Sequence, residues 1–154
     1  IIISSYESTG DKSEGFFCEK KISNNYRQSD LFTNTQGNGS SVLSSVFNDQ
    51  LQLMQTTDSS EIAVSHSAYQ YDAQGRLVSI TTISRSSDDD YVNELIEEHI
   101  YQYENLHVPV SMFRVLNHKD TTRILFSMDE HENLSIEKNT KTAAKYYYYY
   151  DDSY

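Results

Sequence analysis

Apolar and polar residues alternate along much of this chain. Large apolar side chains fall on every second position in Tyr69-Gln70-Tyr71, Val78-Ser79-Ile80, Tyr101-Gln102-Tyr103 and Phe126-Ser127-Met128. A period of two is that of a strand with one face turned inward. Helical spacing shows once, where Val92, Leu95, Ile96 and His99 follow Asp90 at intervals of three and four. That pattern runs directly into the alternation of Tyr101 and Tyr103. The expectation is therefore one helical turn after Asp90 and strand from about Glu97.

The alternating segments repeat. Tyr69-Gln70-Tyr71-Asp72-Ala73-Gln74-Gly75-Arg76-Leu77 aligns with Phe126-Ser127-Met128-Asp129-Glu130-His131-Glu132-Asn133-Leu134: two apolar positions, an Asp, then Leu five positions later. Looser copies are Val46-Phe47-Asn48-Asp49-Gln50-Leu51, with a turn that reads as shortened, Tyr101-Gln102-Tyr103-Glu104-Asn105-Leu106, and Tyr148-Tyr149-Tyr150-Asp151-Asp152, which stops before its return strand. The residues preceding the acid or amide stand at 47, 71, 103, 128 and 150, so the spacings are 24, 32, 25 and 22, one hairpin per unit. An Asp at the start of a turn accepts bonds from backbone N–H groups further on, and Gly75 is suited to the left-handed position that closes a four-residue hairpin loop. Glu132 stands where Gly75 stands. A left-handed non-glycine costs roughly 1–2 kcal/mol, so a different turn is expected there, with Asn133 in the left-handed position.

The expected fold is all-β, an antiparallel meander of hairpin repeats forming a curved sheet or half-barrel of nine or ten strands. The chain reads as a single β domain over residues 1–154, with the repeats in 42–154 and the last unit truncated. Residues 1–15 and 23–41, rich in Ser, Asn, Gly, Asp and Thr, read as loop or disorder around an N-terminal edge strand near Cys18. A second loop, Ser84 to Asp90, accounts for the long spacing.

The repeat resembles the YD-repeat pattern, Tyr-Asp-x-x-Gly-x-Leu, of Rhs-type proteins and, in looser form, of small secreted or lipid-anchored Bacteroidetes β proteins. The resemblance spans about residues 42–154. Rhs proteins wrap long arrays of such hairpins into a shell, and five units are too few to enclose anything. The resemblance implies an extracytoplasmic place, in the periplasm, at the outer membrane or on the cell surface, and leaves room for a lipid anchor upstream. The chain opens at Ile1-Ile2-Ile3 without an initiator Met or a charged-then-apolar leader, which reads as a processed or trimmed form.

Charge narrows the partners. With 23 acidic against 12 basic residues and a net charge of -11, the chain repels phosphate backbones, so nucleic acid is not an expected partner. No stretch approaches the roughly 20 apolar residues of a membrane helix, so membrane insertion is not expected. One cysteine, Cys18, excludes an internal disulfide; it reads as a small buried strand residue.

Candidate chemistry is thin. Asp88-Asp89-Asp90 lacks the alternating ligands and glycine of a Ca2+ loop. Asp129-Glu130-His131-Glu132 is a turn before it is a metal site. His66, His99, His107, His118 and His131 form no ligand pair at zinc spacing, although His99 and His107 flank one turn. No metal or other cofactor is expected. Glu97 and Glu98 point to opposite faces of a strand and do not make a catalytic pair, so no catalytic residue is assigned.

The distinctive surface candidate is Tyr146 to Tyr150. As a strand it sends Tyr146, Tyr148 and Tyr150 to one face and Tyr147 and Tyr149 to the other. Aromatic faces stack on sugar rings and anchor protein partners. The functional expectation is a non-catalytic binding or structural module of a bacterial surface or periplasmic protein, taking an unknown protein or glycan. The alternative is a carbohydrate-active or other hydrolase with a carboxylate site on the concave sheet face.

Overall fold

The computed structural model describes residues 2–3, 9, 16–35, 39–88, 91–104 and 107–151. Every regular element among them is a strand: β1 (Ile2–Ile3), β2 (Phe16–Ile22), β3 (Gln28–Thr35), β4 (Gly39–Phe47), β5 (Leu53–Ser60), β6 (Ala63–Tyr71), β7 (Leu77–Asp88), β8 (Tyr91–Gln102), β9 (Ser111–Leu116), β10 (Asp120–Met128), β11 (Leu134–Asn139) and β12 (Lys145–Tyr147). Strand order in the sheet is chain order, with antiparallel pairing, so the expected all-β meander of hairpins is the fold.

Three hairpins share one turn. Asp72 N–H donates to Arg76 C=O (2.9 Å) and Gly75 N–H to Asp72 C=O (3.0 Å), while Asp72 Oδ1 accepts from Gln74 N–H and Arg76 N–H, both at 2.9 Å. Asp129 repeats this with Asn133, Glu132 and His131, and its Oδ1 accepts from His131 N–H (2.9 Å) and Asn133 N–H (2.8 Å). Asn48 repeats it with Gln52, Leu51 and Gln50, its Oδ1 accepting at 3.0 and 2.9 Å. The fourth position is left-handed in all three, with φ of 61° at Leu51, 80° at Gly75 and 63° at Glu132. This is a three-residue loop with a left-handed bulge residue, one residue shorter than expected because Asp72 N–H already pairs with Arg76 C=O. Return strands then begin on Leu53, Leu77 and Leu134.

Two expectations are corrected here. Glu132, not Asn133, is left-handed, because four hydrogen bonds per turn outweigh a conformational cost of roughly 1–2 kcal/mol. The Asn48 turn is not shortened: Leu51 fills the Gly75 position, and the equivalent of Leu77 is Leu53. An apolar residue in an unfavourable backbone position had passed for the start of a strand.

The loop assignments also shift. Residues 28–35 and 39–41, inside the stretch read as loop-rich, belong to β3 and β4, which pair from Gln28↔Val46 to Thr35↔Gly39. Their hydroxyls hydrogen-bond across strands, as Thr33 and Ser41 do at 2.6 Å, and a polar composition does not prevent ladder formation. Ser84 to Asp88 continue β7, and β8 is strand from Tyr91 with no helical turn. Asp89 and Asp90 lie outside the described residues. The count is twelve strands among the described residues, and the strand carrying Cys18 pairs with both β1 and β3, so it is not an edge.

The chain divides into two compact units, residues 1–69 with 82–95 and residues 70–81 with 96–154. In the first, Ser29, Ser45, Thr56 and Ser67 stand in line across β3 to β6, and Ser65–Ser84 and Ser67–Thr82 hydroxyl pairs lie at 2.8 Å. Among its described side chains Cys18 is the buried apolar one, as expected of a small strand residue. In the second, Met112 and Ile124 are cross-strand partners and are buried, together with Ser111, whose hydroxyl donates to Gln102 Oε1 at 2.9 Å. Other described side chains are partly or fully exposed, because within each unit the described residues form one layer and a sheet face is buried only under a second.

Removing the left-handed strain at Glu132 tests the turn. Glu132→Gly relieves roughly 1–2 kcal/mol of strain and adds roughly 0.5–1 kcal/mol of unfolded-state entropy, so urea unfolding should show a gain of about 0.5 kcal/mol. Gly75→Ala should lose about 1 kcal/mol by the same measurement. Equal and negligible effects in both variants would contradict a shared turn geometry.

Candidate functional site

The five consecutive tyrosines begin on β12, which pairs with β11 through Lys138↔Lys145, Glu137↔Tyr146 and Ile136↔Tyr147. The strand is shorter than expected and ends at Tyr147, although Tyr148 N–H still donates to Ser135 C=O at 3.0 Å. Tyr146, Tyr148 and Tyr150 are 58, 40 and 54 % exposed. Two of their hydroxyls are tied back to β11: Tyr148 donates to Glu137 Oε2 (3.1 Å) and Tyr150 to Leu134 C=O (2.9 Å). The Tyr148 phenol is held above its ordinary pKa by the hydrogen bond to Glu137, then by burial and by the neighbouring Glu137, Tyr150 and Tyr146.

Beside them lies a groove of about 320 Å³. Tyr101, Val108, Pro109, Phe126, Met128 and Leu134 supply apolar walls, and Glu132 stands at its side. The register explains the convergence: Tyr101↔Met112↔Ile124 and Phe126↔Glu137↔Tyr146 are cross-strand neighbours and so share a face. The Tyr150 hydroxyl is bonded to the backbone carbonyl of Leu134, whose residue lines the groove. The sequence reading missed the groove. Its available signal was Val108-Pro109-Val110, the chain's single proline between two valines, an apolar run outside the alternating segments.

The remaining candidates are dispersed among structural partners. Glu97 receives a bidentate pair from Arg114 (Nε–Oε1 3.0 Å, Nη2–Oε2 2.8 Å) and lies 2.6 Å from His99 Nε2, whereas Glu98 pairs with His118 Nδ1 at 2.9 Å. The different partners agree with opposite faces. His66 Nδ1 lies 3.0 Å from Thr57 Oγ1, and His131 lies 3.6 Å from Glu130. No three metal-ligating side chains converge among the described residues. Among the described residues there is no helix long and apolar enough to cross a membrane. Another depression, in the first unit, has Glu19, Lys21, Gln28 and Asp30 over Phe32 and Val42. Its acids are already engaged, Glu19 with Lys21 at 3.3 Å and Asp30 with Gln28 Nε2 at 3.4 Å.

The turn acids titrate low for structural reasons. At Asp129 the Asn133 N–H contributes most to lowering the pKa. At Asp72 burial opposes ionisation but is outweighed by the Arg76 and Gln74 N–H groups and the Arg76 guanidinium. That guanidinium also stacks 4.6 Å from the Tyr103 ring centre, and the Tyr103 hydroxyl donates to Leu77 C=O at 2.8 Å.

Glu97 is lowered chiefly by its bond from Arg114. Because the folded pKa lies below the unfolded value of about 4.3, this stabilisation is complete above the unfolded value and is lost as pH falls through the folded one. Glu97→Gln should lower stability by about 0.5–1 kcal/mol at pH 7 and by less at pH 3, measured by urea unfolding at both. An equal loss at the two pH values would show that the effect is not ionic. No protein-family model matches the chain, and no curated protein matches it in sequence.

Proposed function

We propose that this chain is a non-catalytic binding or structural module of hairpin repeats, acting outside the cytoplasm at a bacterial surface or in the periplasm. Tyr146, Tyr148 and Tyr150 form its contact surface for a protein or glycan. The observation that carries this reading is the state of those side chains: their rings are exposed, while two of the three hydroxyls are bonded to β11. Rings already held in place lose little freedom when a partner arrives. The extracytoplasmic assignment rests on the YD-repeat resemblance. The structural role is supported by the repeated turn, whose Asn48, Asp72 and Asp129 side chains serve the backbone.

Glycan-array and protein pull-down screens on the full chain, run beside a variant carrying Tyr146→Ser, Tyr148→Ser and Tyr150→Ser, test the contact surface. Binding should fall at least about tenfold, which corresponds to about 1.4 kcal/mol. Circular dichroism establishes that the variant keeps its strands. Undiminished binding by that folded variant would rule out the tyrosine face.

A further inference from the structure

We infer that the groove beside the tyrosines seats an extended cationic segment of a partner protein, apolar side chains inward and Lys or Arg residues outward. This rests on the proposed binding role and specifies the chemistry of the partner.

Two properties of the same surface lead there. The groove walls are apolar, so they favour side chains that leave water. Its surroundings are acidic. Glu132 stands at the groove, flanked in its turn by Asp129 and Glu130, and Glu137, one of whose oxygens accepts the Tyr148 hydroxyl, is the cross-strand neighbour of the groove residue Phe126. The carboxylate of Asp129 stays ionised through its backbone hydrogen bonds. Both Lys138 and Lys145 are one residue out of register with Glu137 and Tyr146, so alternation directs them to the opposite face. Arg114, on the groove's face, is held by Glu97, and Lys141 by Asp120. The tyrosine rings add to the preference, since an aromatic face attracts a cation within about 6 Å.

A neutral sugar would use the rings but not the carboxylates, and an acidic or phosphorylated segment would be repelled by them. An extended segment with alternating side chains presents one apolar and one charged edge, which fits a groove bordered by acids.

The test uses the full chain and fluorescent synthetic peptides of about ten residues, read by fluorescence anisotropy. One alternates Lys with Leu, one Glu with Leu and one Lys with Ser. The Lys-Leu peptide should bind at least about tenfold more tightly than either other peptide, and its affinity should fall as salt rises through about 0.1 M. Combining Glu132→Gln with Glu137→Gln should weaken it about tenfold while keeping side-chain size, and Met128→Ser should weaken it independently. Comparable binding of the Glu-Leu peptide, comparable binding of the Lys-Ser peptide, or no binding of the Lys-Leu peptide would each overturn the inference. If the peptide fails while tyrosine-dependent binding persists in the screens above, the partner chemistry is wrong and the contact surface stands. If the triple serine variant loses nothing in those screens, the contact surface itself is wrong.

Discussion

One side-chain oxygen, placed where a strand ends and accepting two backbone N–H groups, determines where three of these hairpins reverse. Asn48, Asp72 and Asp129 do the same work although one is neutral and two are charged. The acceptor holds the loop at one length, and that length determines which residue begins the return strand. Register then follows, and with it the face to which each side chain points. β4 and β10 both shift register just before the turn, between Val46 and Phe47 and between Ser127 and Met128, so the turn and the local irregularity recur together.

Architecture was legible in the sequence because alternation and turn chemistry are local signals. Tyr69-Gln70-Tyr71-Asp72 announces a strand and its reversal within four residues. Where the signal failed, a local preference was overruled by hydrogen bonds it did not include. Leu51 and Glu132 occupy a position that suits glycine, and the polar run through Thr33 and Ser41 is strand because its hydroxyls pair across the ladder. The tyrosine face was partly legible, since alternation groups Tyr146, Tyr148 and Tyr150. The groove was not, since Tyr101, Phe126 and Leu134 come from three strands and meet only through register.

The two units put their sheet faces to different uses. In the first, aligned Ser and Thr residues bond to one another, and a face of that kind stays wet without penalty. In the second, Met112 and Ile124 are buried, while Tyr101, Phe126 and Leu134 are only partly so, which leaves apolar area open to a partner. Acidic residues around that area limit non-specific association through charge repulsion.

Consecutive pairing has a consequence for how the protein comes apart. Each strand bonds to the strands before and after it in the chain, so breaking one pairing exposes a neighbour without dismantling distant contacts. Stability in such a molecule is a profile along the chain, built from each hairpin and its coupling to the next. β11 and β12, joined by a few register pairs and a loop with left-handed Ala143, belong to the low end of that profile. The tyrosines therefore sit on a part of the sheet that opens readily, and a partner holding them would protect the amides of β11 and β12 from exchange.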